Sequence, residues 1–137
     1  IDIILTLIKS PIKKISVFGK KIITKTTDIA NVRIEFINSA VANLTASRIS
    51  AKSERKIRIF EKNKYYSVDF LLSKMSIFSK NSDRIFKQKE YSYKKVDSLR
   101  KEINNFVNSC LGLEKPLVDG INGMNALKVA EDISKKL

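Results

Sequence analysis

Asn31-Val-Arg-Ile-Glu-Phe-Ile37 alternates without a break, with Val32, Ile34 and Phe36 on one side and Asn31, Arg33 and Glu35 on the other. Successive side chains of a strand point to opposite faces, so this stretch predicts a strand with one buried and one open face. Asn38-Ser39 turns the chain, and the alternation resumes from Ala40 to Ile49, where Ala42, Leu44 and Ala46 oppose Asn43, Thr45 and Ser47. Strands joined by a short polar turn pair antiparallel, because parallel pairing needs a long crossover. Working outward, Ile12 to Phe18, closed by Gly19, is a preceding strand. Lys56 to Phe60, a hairpin loop at Glu61-Lys-Asn-Lys64, and Tyr65 to Leu72 follow, with further strands over Lys74–Phe78 and Arg84–Glu90.

The period is helical at both ends. Ile1, Ile4, Leu5 and Ile8 fall at helical spacing and stop at Ser10-Pro11. This apolar pattern opens with no initiator Met, which predicts sequence upstream of Ile1. After Tyr93, a stripe of Val96, Leu99, Ile103, Phe106, Val107 and Cys110 predicts a helix ending at Gly112. Lys115 to Gly120 is a linker, and Met124, Leu127, Ala130 and Ile133 mark a second helix. The expected fold is α+β: an open, mainly antiparallel sheet of about six strands with helices packed on one face, residues 1–137 forming a single domain.

Composition removes several kinds of chemistry. The chain has 137 residues, one cysteine and no histidine. It can form no internal disulfide, and it carries no His-based metal site or His-activated nucleophile of its own. No apolar run reaches the roughly 20 residues of a membrane span. A reducing, cytoplasmic setting is expected, with no membrane partner. The formal charge is +13, which on its face suggests a nucleic-acid binder. However, 21 lysines and only 6 arginines make up the 27 basic residues, and no block exceeds two. Dispersed lysines describe a solvated surface better than a phosphate- or base-reading one. No specific nucleic-acid partner is expected.

Single motifs carry little. Gly120-Ile-Asn-Gly123 spells a G-x-x-G, but it precedes a helix and reads as helix entry. There is no G-x-G-x-x-G and no phosphate-cradling G-x-x-x-x-G-K. Cys110, on the apolar stripe, reads as a small buried hydrophobe. Tyr65, Tyr66, Tyr91 and Tyr93 read as core or interface residues. Asp69 and Glu35 read as surface or interface charges. The face carrying Asn31, Arg33, Glu35, Val41, Asn43, Thr45 and Ser47 is too apolar in part for bulk water and too polar for a core. It is expected to pair with another copy of the chain.

Two longer stretches resemble a known family. One runs from Asp28 through Ala-Asn-Leu-Thr-Ala-Ser-Arg48 to Arg58-Ile-Phe60. The other joins Glu102–Ser109 to Lys115-Pro-Leu-Val-Asp-Gly-Ile-Asn-Gly-Met-Asn-Ala-Leu-Lys-Val-Ala130. In order and spacing they resemble the C-terminal domain of the Gfo/Idh/MocA oxidoreductases, with the flavour of the branch acting on nucleotide-linked amino sugars. The resemblance implies a parent enzyme with an N-terminal Rossmann domain for NAD or NADP, absent from this chain. It implies a C-terminal domain that holds the sugar or nucleotide-sugar and builds a homo-oligomer. It also implies Asp2 as the aspartate of an H-x-x-D segment whose histidine would precede Ile1, an auxiliary to catalysis. Asn43, Thr45 and Arg48 are then candidates for sugar or phosphate contact, or for a dimer face, which is the preferred reading. Glu114-Lys115-Pro116 spells the family's catalytic Glu-Lys-Pro, but its place between two helices makes it a linker. A non-catalytic dimerisation module and a basic nucleic-acid binder are the alternatives.

No cofactor and no metal are expected on this chain itself, and the isolated chain is expected to be inactive. Titration calorimetry with NADH should therefore show no binding, and micromolar binding would contradict the reading.

Overall fold

The computed structural model describes residues 1–80 and 86–137. The elements run α1 (Asp2–Leu7), β1 (Ile12–Lys20), β2 (Ile29–Phe36), β3 (Val41–Ser47), β4 (Lys56–Glu61), β5 (Lys64–Asp69), β6 (Lys74–Lys80), β7 (Phe86–Ser92), α2 (Ser98–Cys110) and α3 (Gly120–Ser134). The fold is α+β, with seven antiparallel strands among the described residues. They form two hydrogen-bonded sheets, β1-β2-β3 and β4-β5-β6-β7. Contacts group the chain into two compact units, Ile1–Ser50 with Asn105–Leu137, and Ala51–Asn104.

In the first unit, β2 is central. Its register places Val32 between Val17 and Leu44, and Ile34 between Ile15 and Ala42. These rows form the inner face. Ile34 is 0% exposed, Val32 and Phe36 are buried, and Val129 and Ile133 of α3 pack on them together with Ile1, Ile4, Leu5 and Ile8 around α1. Burying each such side chain contributes about 2 kcal/mol. The C-terminus closes this face: Lys136 Nζ donates to the Ile15 carbonyl at 3.0 Å. Leu137 lies against Gly19, where a Cβ would overlap Leu137 Cδ2 and meet Thr27 Cγ2 at 3.0 Å.

The second unit is a four-stranded meander. Asn63, at φ 64°, makes the β4–β5 turn inside the expected hairpin loop. β5 ends at Asp69, three residues earlier than the alternation predicted. The Asp69 carboxylate accepts from the amides of Leu71 and Leu72, both at 3.0 Å, and bends the chain into a turn. Asp69 also lies 3.6 Å from Lys56 Nζ on the neighbouring strand. Beyond the surface or interface charge expected, it is a turn-forming group. Phe60, Tyr65 and Phe78 stack across three strands, with ring centroids 4.8 and 5.2 Å apart. The expected strand over Arg84–Glu90 begins at Phe86; its part at Arg84 and Ile85 lies outside the described residues.

The helices differ from expectation in their partners. α2 forms where the stripe predicted it, yet Val96, Leu99, Ile103, Phe106 and Val107 are all exposed. Cys110 is exposed as well, so its reading as a buried hydrophobe does not hold. In α3, Ile133 is buried and Ala130 half-buried, while Met124 and Leu127 are exposed. Helical periodicity reports which residues share a face, not whether anything covers that face. Asp119 caps α3 by accepting from the Asn122 amide at 2.8 Å, so Gly120-x-x-Gly123 is indeed the helix entry.

The two faces of β2 should respond very differently to truncation. Ile34→Ala is expected to lower unfolding free energy by about 3 kcal/mol. Arg33→Ala, one residue away on the open side, should change it by less than about 0.5 kcal/mol. Equal effects in urea denaturation would contradict the assignment of faces.

Candidate functional site

The open face of β1-β2-β3 is built by the same register that builds the core. Ser16, Arg33 and Asn43 form one row across the sheet, and Phe18, Asn31 and Thr45 the next. Lys14, Glu35 and Val41 form a third. Short polar bonds tie the rows together. Thr45 Oγ1 lies 2.9 Å from Asn31 Oδ1, to which it donates. Arg33 reaches Glu35 through Nε at 3.2 Å and Asn43 Oδ1 at 3.4 Å. Phe18 and Val41 are exposed beside these groups. The rows form a shallow depression rather than an enclosed pocket, lined by Ser16, Phe18, Asn31, Arg33, Asn43 and Thr45 among others.

Asp2 lies elsewhere. It begins α1, and α1 packs on the inner face of the sheet. The sheet therefore separates Asp2 from Asn43 and Thr45. Arg48 belongs to neither group. It follows β3, its amide donates to the Asp28 carbonyl at 3.0 Å, and its guanidinium donates to Thr26 Oγ1 at 3.1 Å. The seven expected interface residues share one open face, but the expected sugar-contacting residues and Asp2 do not converge. Lys115 sits in the α2–α3 connection, where Asn105 holds its carbonyl at 3.4 Å and the Leu117 amide at 2.9 Å. That bracing fits a structural linker.

One strongly organised group was not singled out from the sequence. Asp28 is only 2% exposed. Its Oδ2 accepts from the amides of Ile22, Ile23 and Thr24 at 2.8, 2.7 and 2.8 Å, and Oδ1 accepts from Thr24 Oγ1 at 2.7 Å. The Thr24 hydroxyl and the backbone bonds hold the Asp28 carboxyl well below its ordinary value of 3.8, against the opposing effect of burial. Its signal in the sequence is local: Thr24-Lys-Thr-Thr-Asp28 has the composition of a side-chain-stabilised turn. Among the described residues there is no group of three or more acidic, cysteine or histidine side chains able to hold a metal ion. Among them, no helix is long and apolar enough to cross a membrane.

The fold is shared with several solved structures. An NAD-binding protein from Listeria innocua superposes with a TM-score of 0.72 at 19% identity, over 98% of this chain and 42% of that one. Gal80p from Saccharomyces cerevisiae, as a super-repressor mutant, gives 0.65 at 8% identity, over 83% of this chain and 35% of that one. At these identities the likeness concerns the fold alone. The sequence itself is homologous to part of UDP-N-acetylglucosamine 3-dehydrogenase from Acidithiobacillus ferrooxidans, with 29% identity over 136 residues, 94% of this chain and 44% of that protein. A crystal structure of that enzyme superposes with a TM-score of 0.90 at 28% identity, over 99% of this chain and 44% of the enzyme chain. The chain thus spans under half the length of the relative it matches. No family model matches the sequence.

The Asp28 geometry sets a pH dependence. A carboxyl whose value is depressed in the folded state adds stability above its unfolded value, near 3.8, and loses it as pH falls toward the folded value. Acid titration of stability should therefore be steeper for the native chain than for Asp28→Asn, which also loses acceptor strength. Coincident acid profiles would contradict this role.

Proposed function

We propose that this chain is the substrate-binding and assembly part of an NAD(P)-dependent dehydrogenase acting on a nucleotide-linked amino sugar. The observation that carries the proposal is the superposition on UDP-N-acetylglucosamine 3-dehydrogenase over nearly the whole of this chain and 44% of that enzyme. The exposed apolar stripe of α2 supports it, since such a stripe suits a larger assembly better than a free surface.

The residues of this chain do not fit a dinucleotide. Gly120 and Gly123 open α3, but they follow a linker rather than a strand, and the carboxylate of Asp119 already takes the Asn122 amide at that end. An anionic cap there opposes a phosphate. The nicotinamide, which would supply hydride transfer, is accordingly assigned to a part of the enzyme outside this chain. What this chain offers the reaction is position. Asp2, on the helix side of the three-stranded sheet, is the carboxylate placed to orient a neighbouring proton-transferring group. The helix side is then the substrate side.

Assembly falls to the opposite face. With Asp2 behind the sheet, Asn43 and Thr45 are assigned to pairing between copies, together with Asn31, Arg33, Glu35, Val41 and Ser47. Arg33 and Glu35 provide opposite charges, and Phe18 and Val41 provide apolar area. Arg48 is assigned to bracing the β1–β2 connection. The enzyme is placed in the cytoplasm, where its nucleotide-sugar and cofactor are made. A non-catalytic pairing module would share the assembly half of this proposal only.

Two experiments test it. The complete reading frame encoding this chain should yield a protein that reduces NAD or NADP with UDP-N-acetylglucosamine, while the 137-residue chain alone should not. Turnover by the chain alone, or none by the complete protein, would contradict the assignment. The chain should scatter light as a dimer or larger, burying at least about 1,000 Å². Thr45→Arg should shift it toward monomer; a monomeric native chain, or a variant of unchanged mass, would count against the interface.

A further inference from the structure

Between β1 and β2 the chain reads Lys20-Lys-Ile-Ile-Thr-Lys-Thr-Thr-Asp28. Ile22 is 57% and Ile23 78% exposed. Two adjacent isoleucines in water are unfavourable by themselves, yet this tip is held with unusual firmness. Asp28 draws the amides of Ile22, Ile23 and Thr24 inward, and Thr24, Thr26 and Arg48 continue the brace. The consequence is specific. The amides of Ile22, Ile23 and Thr24 are satisfied by Asp28, so the two isoleucines can leave water without orphaning their own donors. Around it stand Lys20, Lys21, Lys25 and Arg48, all exposed. The only acidic residue of the segment, Asp28, is buried beneath it.

We infer that this loop is a peripheral contact for an anionic lipid bilayer, with Ile22 and Ile23 entering the headgroup–acyl boundary and the four cations meeting lipid phosphates. Apolar tips ringed by lysine and arginine are attracted to such surfaces by both effects together. A second copy of the chain suits the tip poorly, because it would bring two cationic loops together. A separate protein partner needs about 1,000 Å² of complementary surface, far more than two side chains offer. A bilayer needs only a few apolar side chains and nearby positive charge. The lack of a spanning run, from which no membrane partner was expected, does not bear on a surface contact of this kind.

The chain contains no tryptophan, so Ile23→Trp supplies a single reporter at an exposed position. Its emission should shift to the blue with vesicles of phosphatidylcholine and phosphatidylglycerol, and not with phosphatidylcholine alone. Ile37→Trp, exposed at the other end of the sheet, should not shift. In sedimentation with the mixed vesicles, the double variant I22S/I23S keeps the native charge and should bind about tenfold more weakly or worse. Raising salt should release the native chain. Three results would overturn the inference. One is no sedimentation of the native chain. Another is sedimentation that I22S/I23S leaves unchanged, with no shift in the emission of the Ile23→Trp reporter, which would mean that dispersed lysines alone bind. The third is a blue shift produced without vesicles, by protein concentration or by polyglutamate, which would assign the tip to a protein partner.

Discussion

The alternation of β2 is the constraint on which the first unit depends. Val32, Ile34 and Phe36 present one continuous apolar row to α1 and α3. The same backbone, with no further choice, turns Asn31, Arg33 and Glu35 the other way. A slip of one residue in pairing would exchange the two rows and place Arg33 and Glu35 in the core, at a cost no other contact in the unit could offset. The core thus fixes the register, and the register fixes which polar residues form the open face. The separation of Asp2 from Asn43 and Thr45 follows directly, because a sheet with helices on one side has only two sides to offer.

Asp28 performs a comparable service for the loop that closes β1 onto β2. A nine-residue β1 followed by a connection of eight residues would ordinarily leave amides to water. Here one buried carboxylate gathers three of them. The strength of that arrangement comes from charge-assisted bonds to an ionised group, the form in which a carboxylate accepts best. Its charge is met by N–H dipoles and a hydroxyl, and among the described residues no lysine or arginine pairs with it.

Strands β1 to β6, both long helices and the inner face of the first unit were legible in the sequence because each depends on periodicity or on local turn chemistry. Two things were not. The exposure of Leu99, Ile103, Phe106 and Cys110 could not be read from their spacing, since an amphipathic stripe is the same whether it packs within the chain or against something outside it. The role of Asp28 was easy to pass over because three of its four acceptor bonds go to main-chain amides, and only the threonines of Thr24-Lys-Thr-Thr-Asp28 hint at the turn it holds. Asp69 is a similar case: a carboxylate capping the turn after its own strand cut β5 short where apolar Phe70, Leu71 and Leu72 had suggested continuation. The candidate site fared differently again. The family resemblance rests on ordered stretches of sequence, while convergence in space depends on which side of the sheet each residue faces.

In the proposed function the two sides of the three-stranded sheet divide the work, with substrate on the helix side and assembly on the open side. A structure of the complete protein determined with UDP-N-acetylglucosamine is the decisive test of that division. The amino sugar is expected on the side of α1, with Asp2 in the surrounding shell and Asn43 and Thr45 against a second copy. A sugar seated on the open face, touching Asn43 and Thr45, would contradict it.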